Sequence, residues 1–576
     1  MNTKQTANPR TSRKHHIFSQ CAAVLIMIGI ILGLQPENAV TAQQTITFSG
    51  AELLGRPTDT SISIKIVPDS TIQYYYQYGT SPGTYSGQTD TVSATGGEPH
   101  TVTITGLSPN THYYYRMHYN YNNTGWVARP EHSFWTQRDK GEEFVFDITS
   151  DSHVNIMLGS AAVWTDTLNN VAADDPDFLI DLGDTFAMDN VTTLAGADSA
   201  YLFQRDFFDI VGHSASIYLA MGNHEQTEGW HFDGTNSLPV WSFNSMKKYY
   251  LNPSPDGFYS GNEETFSYID GDGKLQDYFA WEWGDALFVF IDPFWYTTTK
   301  PYTGTTGGGE SAGGSGDRWD WSLGQTQFNW LKTTVQNSNA SYKFVFAHHM
   351  VGGSDDYVRG GAEPAHLYEW GGGDDESPIT DFETERPITD WGSEPIHQFF
   401  VANGVSAFFH GHDHQYAYEV REGVVYQSLP AAGFTGGGFG IYNNSPYAEM
   451  VLDSSGHLRV TVSPTITTVD YVRSGGSGGS YSYTIEPSEQ QEGMLGDVNG
   501  SGGADSTDAL IVLSADAGIN VVSYCPMNCG DANGDGFVNS TDALILLSFD
   551  AGLPVSFGIG EQGCPQTITQ PPGCTP

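Results

Sequence analysis

Basic residues are scarce in this sequence. Lys and Arg together number 23 among 576 residues, against 67 Asp and Glu, and the formal net charge is −44. Because nucleic-acid affinity depends largely on the neutralisation of phosphates by Lys and Arg, we expect no general nucleic-acid binding. The acidic balance fits an exported protein that collects cations. A role in solubility alone is the other interpretation, and charge does not separate the two.

Long apolar segments are equally scarce. One run, from Cys21 to Leu34, is too short to span a bilayer comfortably; it follows a basic stretch and precedes a small-residue cleavage site at Val40-Thr41-Ala42. This order predicts a signal peptide over residues 1–42, with a retained membrane anchor as the alternative. No later stretch is long and apolar enough to cross a membrane. We therefore expect a secreted or cell-surface protein with no membrane span after cleavage.

Cysteine is nearly confined to the end of the chain. Apart from Cys21, the cysteines are Cys525, Cys529, Cys564 and Cys574. In an oxidising compartment these four predict two disulfides, for which three connectivities are possible. A zinc site is the alternative, but the spacing is irregular and no histidine lies nearby. We favour disulfides that staple the C-terminal module.

The length predicts two to four domains. Over residues 45–137, short runs rich in β-branched and aromatic residues alternate with turn signals, which predicts a β-sandwich. Over residues 141–466, apolar strands alternate with polar, Gly-rich loops, which is typical of an α/β domain. The remaining segments are a flexible linker, a short repeat and a tail that contains Cys and Pro, over residues 472–493, 494–556 and 557–576.

Five apolar runs of the central region each lead directly into side chains that bind metals. They lead into Asp151-Ser152-His153, Gly183-Asp184, Gly222-Asn223-His224-Glu225, His348-His349 and His410-Gly411-His412-Asp413-His414. In a mixed α/β sheet the loops converge beyond the carboxyl ends of strands, so these side chains are expected to meet. Imidazole and carboxylate suit zinc, iron and manganese. One such motif is weak evidence, but five in order predict a functional metal site. Asp292 ends a further run without a second ligand, and we expect it to be structural.

The ordered set Asp-x-His, Gly-Asp, Gly-Asn-His-Glu, His and Gly-His-x-His resembles the calcineurin-like metallophosphoesterase superfamily over the whole central domain. The sandwich ahead of it is similar to that of the purple acid phosphatases, and Gly106 to Arg116 resembles the corner of fibronectin type III-like domains. The resemblance implies an αββα-type fold and two iron, manganese or zinc ions. It assigns the first metal to Asp151, His153 and His414, and the second to Asn223, His348 and His412. Asp184 would bridge the two ions, and His224 would face the substrate as proton donor or charge stabiliser.

The sequence departs from its relatives at two positions. Ala187 stands where purple acid enzymes carry Tyr and calcineurin-type enzymes carry Asp, so the usual partner of the catalytic His is missing; Asp189 is one candidate to replace it. His153 stands where purple acid phosphatases carry Gly, which brings the chain closer to the general metallophosphoesterases. Between His348 and His349, we favour His348 as the ligand because it matches the family's strand-end His. His410, Asp413 and Glu225 are expected to be spacers or to orient the ligands.

A short repeat follows the central region. Gly496–Gly502 recurs 34 residues later as Gly530–Gly536, and each copy continues into Ser-Thr-Asp-Ala-Leu. Oxygen-bearing side chains at loop positions 1, 3, 5 and 12, with Gly at 6, match calcium-loop spacing. The predicted calcium ligands are Asp497, Asn499, Ser501, Asp508, Asp531, Asn533, Asp535 and Asp542. Two such loop–helix units resemble the dockerin family, which implies a small all-α module that folds around calcium and docks onto a cohesin-type partner.

These observations favour a secreted, metal-dependent phosphoesterase that acts on small phosphate esters. Monoesters and diesters both remain open, with attack by a hydroxide that two metals activate and with assistance from His224. The alternative is a catalytically silent cell-surface binding or adhesion protein, attached through its dockerin-like module. Another binuclear hydrolase of the lactamase type is less favoured, because the sequence contains no His-x-His-x-Asp-His.

Overall fold

The structure is a computed structural model. It describes residues 45–156, 158–226, 236–295, 323–349, 361–363, 365, 395–438, 440–475, 479–488, 494–499, 501, 503–521, 524, 527–561, 563–565 and 568–574. The predicted signal peptide and Cys525 lie outside these residues. Within these ranges, no helix has the length and apolar character that crossing a membrane requires.

The N-terminal domain is a β-sandwich. Its strands are β1 (Leu53–Gly55), β2 (Ser61–Ile66), β3 (Ile72–Gly79), β4 (Gly87–Gln88), β5 (Val92–Ala94), β6 (His100–Thr105), β7 (His112–Tyr121), β8 (Trp126–Ala128) and β9 (His132–Trp135). One sheet has the order β1-β2-β6, and the other has the order β4-β3-β7-β8, with β5 beside β3 and β9 beside β7. Alternation along the strands buries Tyr74, Tyr76 and Tyr115 between the sheets. These tyrosines therefore pack the core of the sandwich.

The central domain contains two mixed sheets. Its strands are β10 (Phe144–Thr149), β11 (Phe178–Asp181), β12 (Ser216–Leu219), β13 (Ser260–Gly261), β14 (Phe279–Trp283), β15 (Ala286–Phe290), β16 (Tyr342–Ala347), β17 (Ala407–His410), β18 (Tyr416–Arg421), β19 (Val424–Ser428), β20 (Ala448–Leu452), β21 (Gly456–Val462), β22 (Thr467–Arg473) and β23 (Ser482–Ile485). The first sheet has the order β12-β11-β10-β21-β22-β23. The second has the order β13-β14-β15-β16-β17-β19-β18-β20.

The two sheets face each other across an aromatic core. Phe146 of β10 lies 5.0 Å from Phe288 and 6.4 Å from Phe346 of the opposite sheet, measured between ring centroids. Helices cover the outer faces: α1 (Ala161–Asp174), α2 (Leu194–Gly212) and α3 (Leu238–Tyr249) pack on the first sheet, and α4 (Gly324–Asn337) and α5 (Ile396–Ala402) on the second. This layering confirms the predicted αββα architecture.

The first sheet of the central domain continues beyond the predicted boundary at residue 466. Strands β22 and β23 form an antiparallel hairpin that pairs Thr467 with Ile485, so the segment 472–493 is not simply a linker. The ring of Tyr483 stacks on Tyr418 at 3.9 Å, which anchors β23 over the core. The Gly/Ser-rich run that suggests a linker is the connection inside this hairpin.

The C-terminal module is helical. Helices α6 (Ser506–Asp516) and α7 (Ser540–Asp550) pack together around Val512, Ala515 and Leu546. A disulfide joins Cys529 to Cys564, and Cys574 is disulfide-bonded as well. The disulfide between Cys529 and Cys564 is one of the two that the sequence predicts for this module.

The sandwich packs on the central domain through buried polar contacts. The Lys65 ammonium donates to the carbonyl oxygens of Lys247 and Tyr250 at 2.8 and 2.6 Å. In return, the Arg205 guanidinium donates to the carbonyl oxygens of Ser49 and Ala51 at 2.8 and 3.2 Å. Each cation is buried but hydrogen-bonded, which reduces the cost of its burial.

Candidate metal centre

Five strands deliver the predicted ligands to one edge of the two sheets. Strands β10, β11 and β12 are parallel neighbours in the first sheet, and β16 and β17 are parallel neighbours in the second. Their carboxyl ends consequently lie together, and the loop after each strand begins beside the loops of the others. The structure thus brings the five motifs into a single site.

One group of ligands gathers around Asp151. His153 Nε2 and His414 Nε2 each lie 3.3 Å from Asp151 Oδ1. Asp151 Oδ2 accepts a hydrogen bond from the backbone N–H of His412 at 2.9 Å, which fixes the orientation of the carboxylate. Asp151, His153 and His414 therefore place one ligand atom each within 4.8 Å of one another.

A second group gathers around Asn223 and His348. His348 Nε2 lies 3.0 Å from Asn223 Oδ1, and His412 Nδ1 lies 2.9 Å from the same oxygen. His348 Nδ1 donates to the Leu182 carbonyl oxygen at 2.9 Å, so its Nε2 lone pair faces the site. A ring fixed in this tautomer is the usual arrangement of a metal-binding histidine.

Asp184 lies between the two groups. Its Oδ2 is 3.0 Å from His348 Nε2 and 3.8 Å from His153 Nε2. Its Oδ1 accepts from the backbone N–H of His224 at 2.8 Å. A carboxylate in this position can bind a metal ion in either group, which is the arrangement expected for a bridging aspartate.

The backbone at the site adopts conformations that side chains other than glycine rarely adopt. The φ angles are positive, between 50° and 71°, at five of the predicted ligand positions: Asp151, His153, Asp184, His412 and His414. Such residues store strain that the surrounding structure must compensate, and they concentrate at functional sites. Two glycines allow the close packing, since a Cβ at Gly222 would collide with Asp184 and one at Gly411 would collide with Ser150.

The electrostatics of the site favour positive charge. Burial by itself would raise the pKa of Asp151, but hydrogen bonds from His153 and His414 outweigh it and hold that pKa well below its usual value. Burial would lower the pKa of His348, but the neighbouring Asp184 carboxylate outweighs it and raises the pKa to about 9. Two buried carboxylates with converging imidazole nitrogens form a donor set that fits transition-metal ions.

His224 stands at the more open side of the site. Its Nε2 is 3.8 Å from Asp184 Oδ2, and its Nδ1 donates to Asp189 Oδ1 at 2.6 Å. Burial would lower the pKa of His224, but Asp184 and Asp189 outweigh it and raise the pKa to about 10. Asp189 therefore provides the carboxylate partner that Ala187 does not, two residues further along the chain.

The remaining polar residues of the motifs support the ligand loops. Glu225 accepts four backbone N–H groups at 2.8 Å, those of Asp184, Thr185, Phe186 and Gly222. Asp413 Oδ2 accepts from Tyr442 at 2.6 Å. His410 is fully buried, and burial lowers its pKa to about 3. Glu225 therefore connects the loop after β11 to the loop after β12, a contact that the sequence motif alone does not reveal.

Two further expectations concern His349 and Asp292. The His349 ring packs against His412 at 4.3 Å between centroids, and it belongs to neither ligand group. Asp292 is buried, accepts from the backbone N–H of Phe294 at 2.8 Å and lies 3.2 Å from Gln226 Nε2. These contacts favour His348 as the ligand and a structural role for Asp292.

The two C-terminal loops have the same construction. Asp531 accepts backbone N–H groups of its own loop, from Gly534 and Gly536 at 2.9 Å each. Asp508 and Asp542, at the twelfth loop positions, are buried, and each completes a capping box at the start of the following helix. The calcium-loop spacing does not predict this second role, although an acidic residue three positions after the N-cap is its sequence signal.

Comparisons with known proteins support the three-part organisation. Residues 53–136 match the family described as purple acid phosphatase, N-terminal domain; residues 144–416 match calcineurin-like phosphoesterase; residues 495–548 match dockerin type I domain. No curated protein matches the chain.

Solved structures share the fold of the first two domains at low sequence identity. A structure of PhoD is 14% identical, with a TM-score of 0.54, over 77% of this chain and 91% of the other. The purple acid phosphatase PPD1 from yellow lupin (Lupinus luteus) seeds is 14% identical, with a TM-score of 0.51, over 77% of this chain and 75% of the other. Along its length the chain is therefore similar, in order, to purple acid phosphatase N-terminal domains, to calcineurin-like phosphoesterases and to dockerin type I domains.

Proposed function

We propose that this protein is a secreted phosphoesterase that hydrolyses small phosphate mono- or diesters with two transition-metal ions. The observation that carries the proposal is the position of Asp184, whose Oδ2 lies 3.0 Å from His348 Nε2 and 3.8 Å from His153 Nε2. One carboxylate oxygen thus faces a histidine of each ligand group. A site for a single ion does not need this second set of ligands.

The residues that would hold the ions divide into two sets. Asp151, His153 and His414 would hold the first ion, and Asn223, His348 and His412 the second, with Asp184 shared. Iron, manganese and zinc all suit these donors. When bound, two such ions supply Lewis-acid activation of water and of the phosphoryl oxygens.

The side chain of His224 provides the proton chemistry. Because Asp189 Oδ1 accepts from Nδ1 at 2.6 Å, a protonated ring presents Nε2–H towards the centre. That N–H can stabilise charge on a phosphoryl oxygen or protonate the leaving oxygen of the ester. Asp189 fixes the ring in this orientation and favours its protonated state.

The C-terminal module is proposed to bind two calcium ions and to attach the enzyme to a cohesin-type partner. Leu510 and Leu544 occupy equivalent positions of α6 and α7 and are 63% and 64% exposed. Paired apolar residues on two equivalent helices offer a surface for a partner protein. A dockerin domain together with the predicted signal peptide supports an extracellular location.

The test is hydrolysis of p-nitrophenyl phosphate and bis(p-nitrophenyl) phosphate by the full chain after loading with manganese, zinc or iron. His412→Ala should reduce kcat/KM by at least about a hundredfold, because a metal ligand is lost. His397→Gln is the matched control: His397 is also buried in the central domain, but it contacts Tyr426 and Glu422 instead.

The preferred ester would define the substrate class. A wild-type protein that cleaves neither ester with any of the three metals would contradict the proposal. That result would favour a catalytically silent binding or adhesion protein attached through the dockerin domain.

A further inference from the structure

A second cluster of metal-ligand side chains lies under helix α1, on the outer face of the first sheet. It consists of Asp147 in β10, His457 in β21 and Asp174 at the last position of α1. Register pairs Asp147 with Arg459, so Asp147, His457 and Arg459 lie on the same face of two neighbouring strands. Neither the sequence motifs nor the proposed phosphoesterase chemistry accounts for this cluster.

The three side chains converge on one point. His457 Nε2 lies 2.8 Å from Asp174 Oδ2 and 4.0 Å from Asp147 Oδ2. One ligand atom from each residue lies within 4.8 Å of the other two. These separations match those between ligands that surround one ion, since metal–ligand distances are about 2.0–2.2 Å for zinc with His or carboxylate.

Asp147 is an unsatisfied buried group. Its side chain is 0% exposed, and neither of its carboxylate oxygens has a hydrogen-bond partner among the described residues. The neighbouring His457 is equally buried, and its Nδ1 also has no partner there. Buried polar atoms are nearly always satisfied, so a carboxylate with two bare oxygens needs an occupant beside it.

The local charge requires the same occupant. Arg459 donates to Asp174 Oδ1 at 3.0 Å and to Asp470 at 2.8 Å, but it makes no ion pair with Asp147. The other carboxylate oxygen of Asp174, Oδ2, lies within hydrogen-bond distance of His457 Nε2. Burial lowers the pKa of His457, although its hydrogen bond with Asp174 opposes that shift. Burial and the neighbouring Asp174 carboxylate raise the pKa of Asp147 well above its usual value, because together they outweigh the opposing charge of Arg459.

We infer that Asp147, Asp174 and His457 form a third transition-metal site, separate from the centre around Asp184, with zinc as the best-suited ion. Two carboxylates and one imidazole give three protein ligands, and water completes the coordination. The ion neutralises the buried carboxylate of Asp147 and the half-buried carboxylate of Asp174, which Arg459 alone does not balance. It also ties the end of α1 to β10 and β21.

The site has a structural consequence for the candidate metal centre. Strand β10 carries Asp147 and, directly after its last residue, leads to Asp151 and His153. An ion that fixes β10 against α1 and β21 stabilises the strand from which those ligands extend. We expect it to raise the thermal stability of the protein without contacting the substrate.

The experiment counts zinc in the untagged full chain by mass spectrometry, after dialysis against zinc and excess calcium. The background carries His153→Ala and His348→Ala, which remove one ligand from each group around Asp184. In this background we expect one remaining zinc per chain. Adding Asp147→Asn should remove it, whereas adding Asp470→Asn, which changes another carboxylate bound to Arg459, should not.

Stability provides the second measurement. Zinc should raise the Tm of the His153→Ala/His348→Ala background, and Asp147→Asn or His457→Gln should abolish that rise. If a variant fails to fold, the zinc-dependent Tm of the background decides the question by itself. A background without zinc and without a zinc-dependent Tm would overturn the inference and would mean that Asp147 is held protonated. Because hydrolysis is not measured, failure here is distinct from failure of the proposed function.

Discussion

At the residue scale, the pairing of Asp189 with His224 places a carboxylate beside this histidine, two residues beyond Ala187. The sequence identifies the loss of the usual partner at Ala187 but cannot place its replacement, because side-chain distances depend on the path of the loop. In the structure the loop after Asp184 brings Asp189 Oδ1 to 2.6 Å from His224 Nδ1. The ring is therefore oriented as the proposed mechanism requires.

Asp189→Ala should lower kcat by about tenfold to a hundredfold, which is the usual cost of losing a residue that orients a functional side chain. The loss should be larger for phenyl phosphate than for p-nitrophenyl phosphate, because the poorer leaving group depends more on protonation. Steady-state kinetics with both esters measures the effect. An equal loss with both would indicate that Asp189 only supports the structure.

His348 and His349 offer a matched pair of adjacent histidines. His348→Ala should remove metal and activity together, since its Nε2 faces Asn223 and Asp184 at 3.0 Å. His349→Ala should retain the metal, because its ring packs on His412 outside both ligand groups. Metal content by mass spectrometry distinguishes them. Retention of metal by His348→Ala would reverse the assignment.

At the element scale, most of the candidate site is predictable because its residues directly follow the ends of strands. The five apolar runs are strands, and their parallel order at one edge follows from general rules of α/β sheets. The sequence does not predict that strand β23 belongs to the first sheet of the central domain, because a Gly/Ser-rich connection precedes it and only Tyr483 and Ile485 are buried. The positive φ angles at the ligands were also beyond prediction, since packing of the loops imposes them.

The C-terminal helices are expected to depend on calcium. Asp542→Ala should lower calcium binding and expose the module to proteolysis, because it removes both a loop oxygen and the capping-box side chain of α7. Asp516→Ala is the control: Asp516 accepts from Ser540 N–H at 2.9 Å but belongs to neither loop. Isothermal titration with calcium gives the stoichiometry. Equal calcium binding by both variants would contradict the assigned ligand.

At the scale of the whole molecule, the sandwich and the central domain share a polar interface. Its buried cations, Lys65 and Arg205, each donate hydrogen bonds to carbonyl oxygens of the opposite domain. The sequence predicts both domains but not these contacts, because a single Lys in a strand or a single Arg in a helix forms no recognisable sequence motif. Tertiary packing alone determines them.

The same interface predicts a dependence of stability on pH. The rings of His132 and His213 lie 4.2 Å apart across it. Burial, with His213 and Arg129, lowers the pKa of His132 from 6.5 to about 3. Between these values the unfolded chain binds a proton that the folded chain does not, so stability falls as the pH decreases below about 6.5. Between pH 7 and pH 4, the Tm of His132→Gln should therefore fall less than the Tm of the wild type. An identical fall in both proteins would contradict this explanation.

The most direct test of the phosphoesterase centre is anomalous X-ray scattering from crystals of the manganese-loaded full chain. We expect two peaks, about 3.5–4 Å apart, on either side of the Asp184 carboxylate. One should contact His153 and His414, and the other His348 and His412. A single peak, or none beside Asp184, would contradict the two-metal centre on which the proposed function rests.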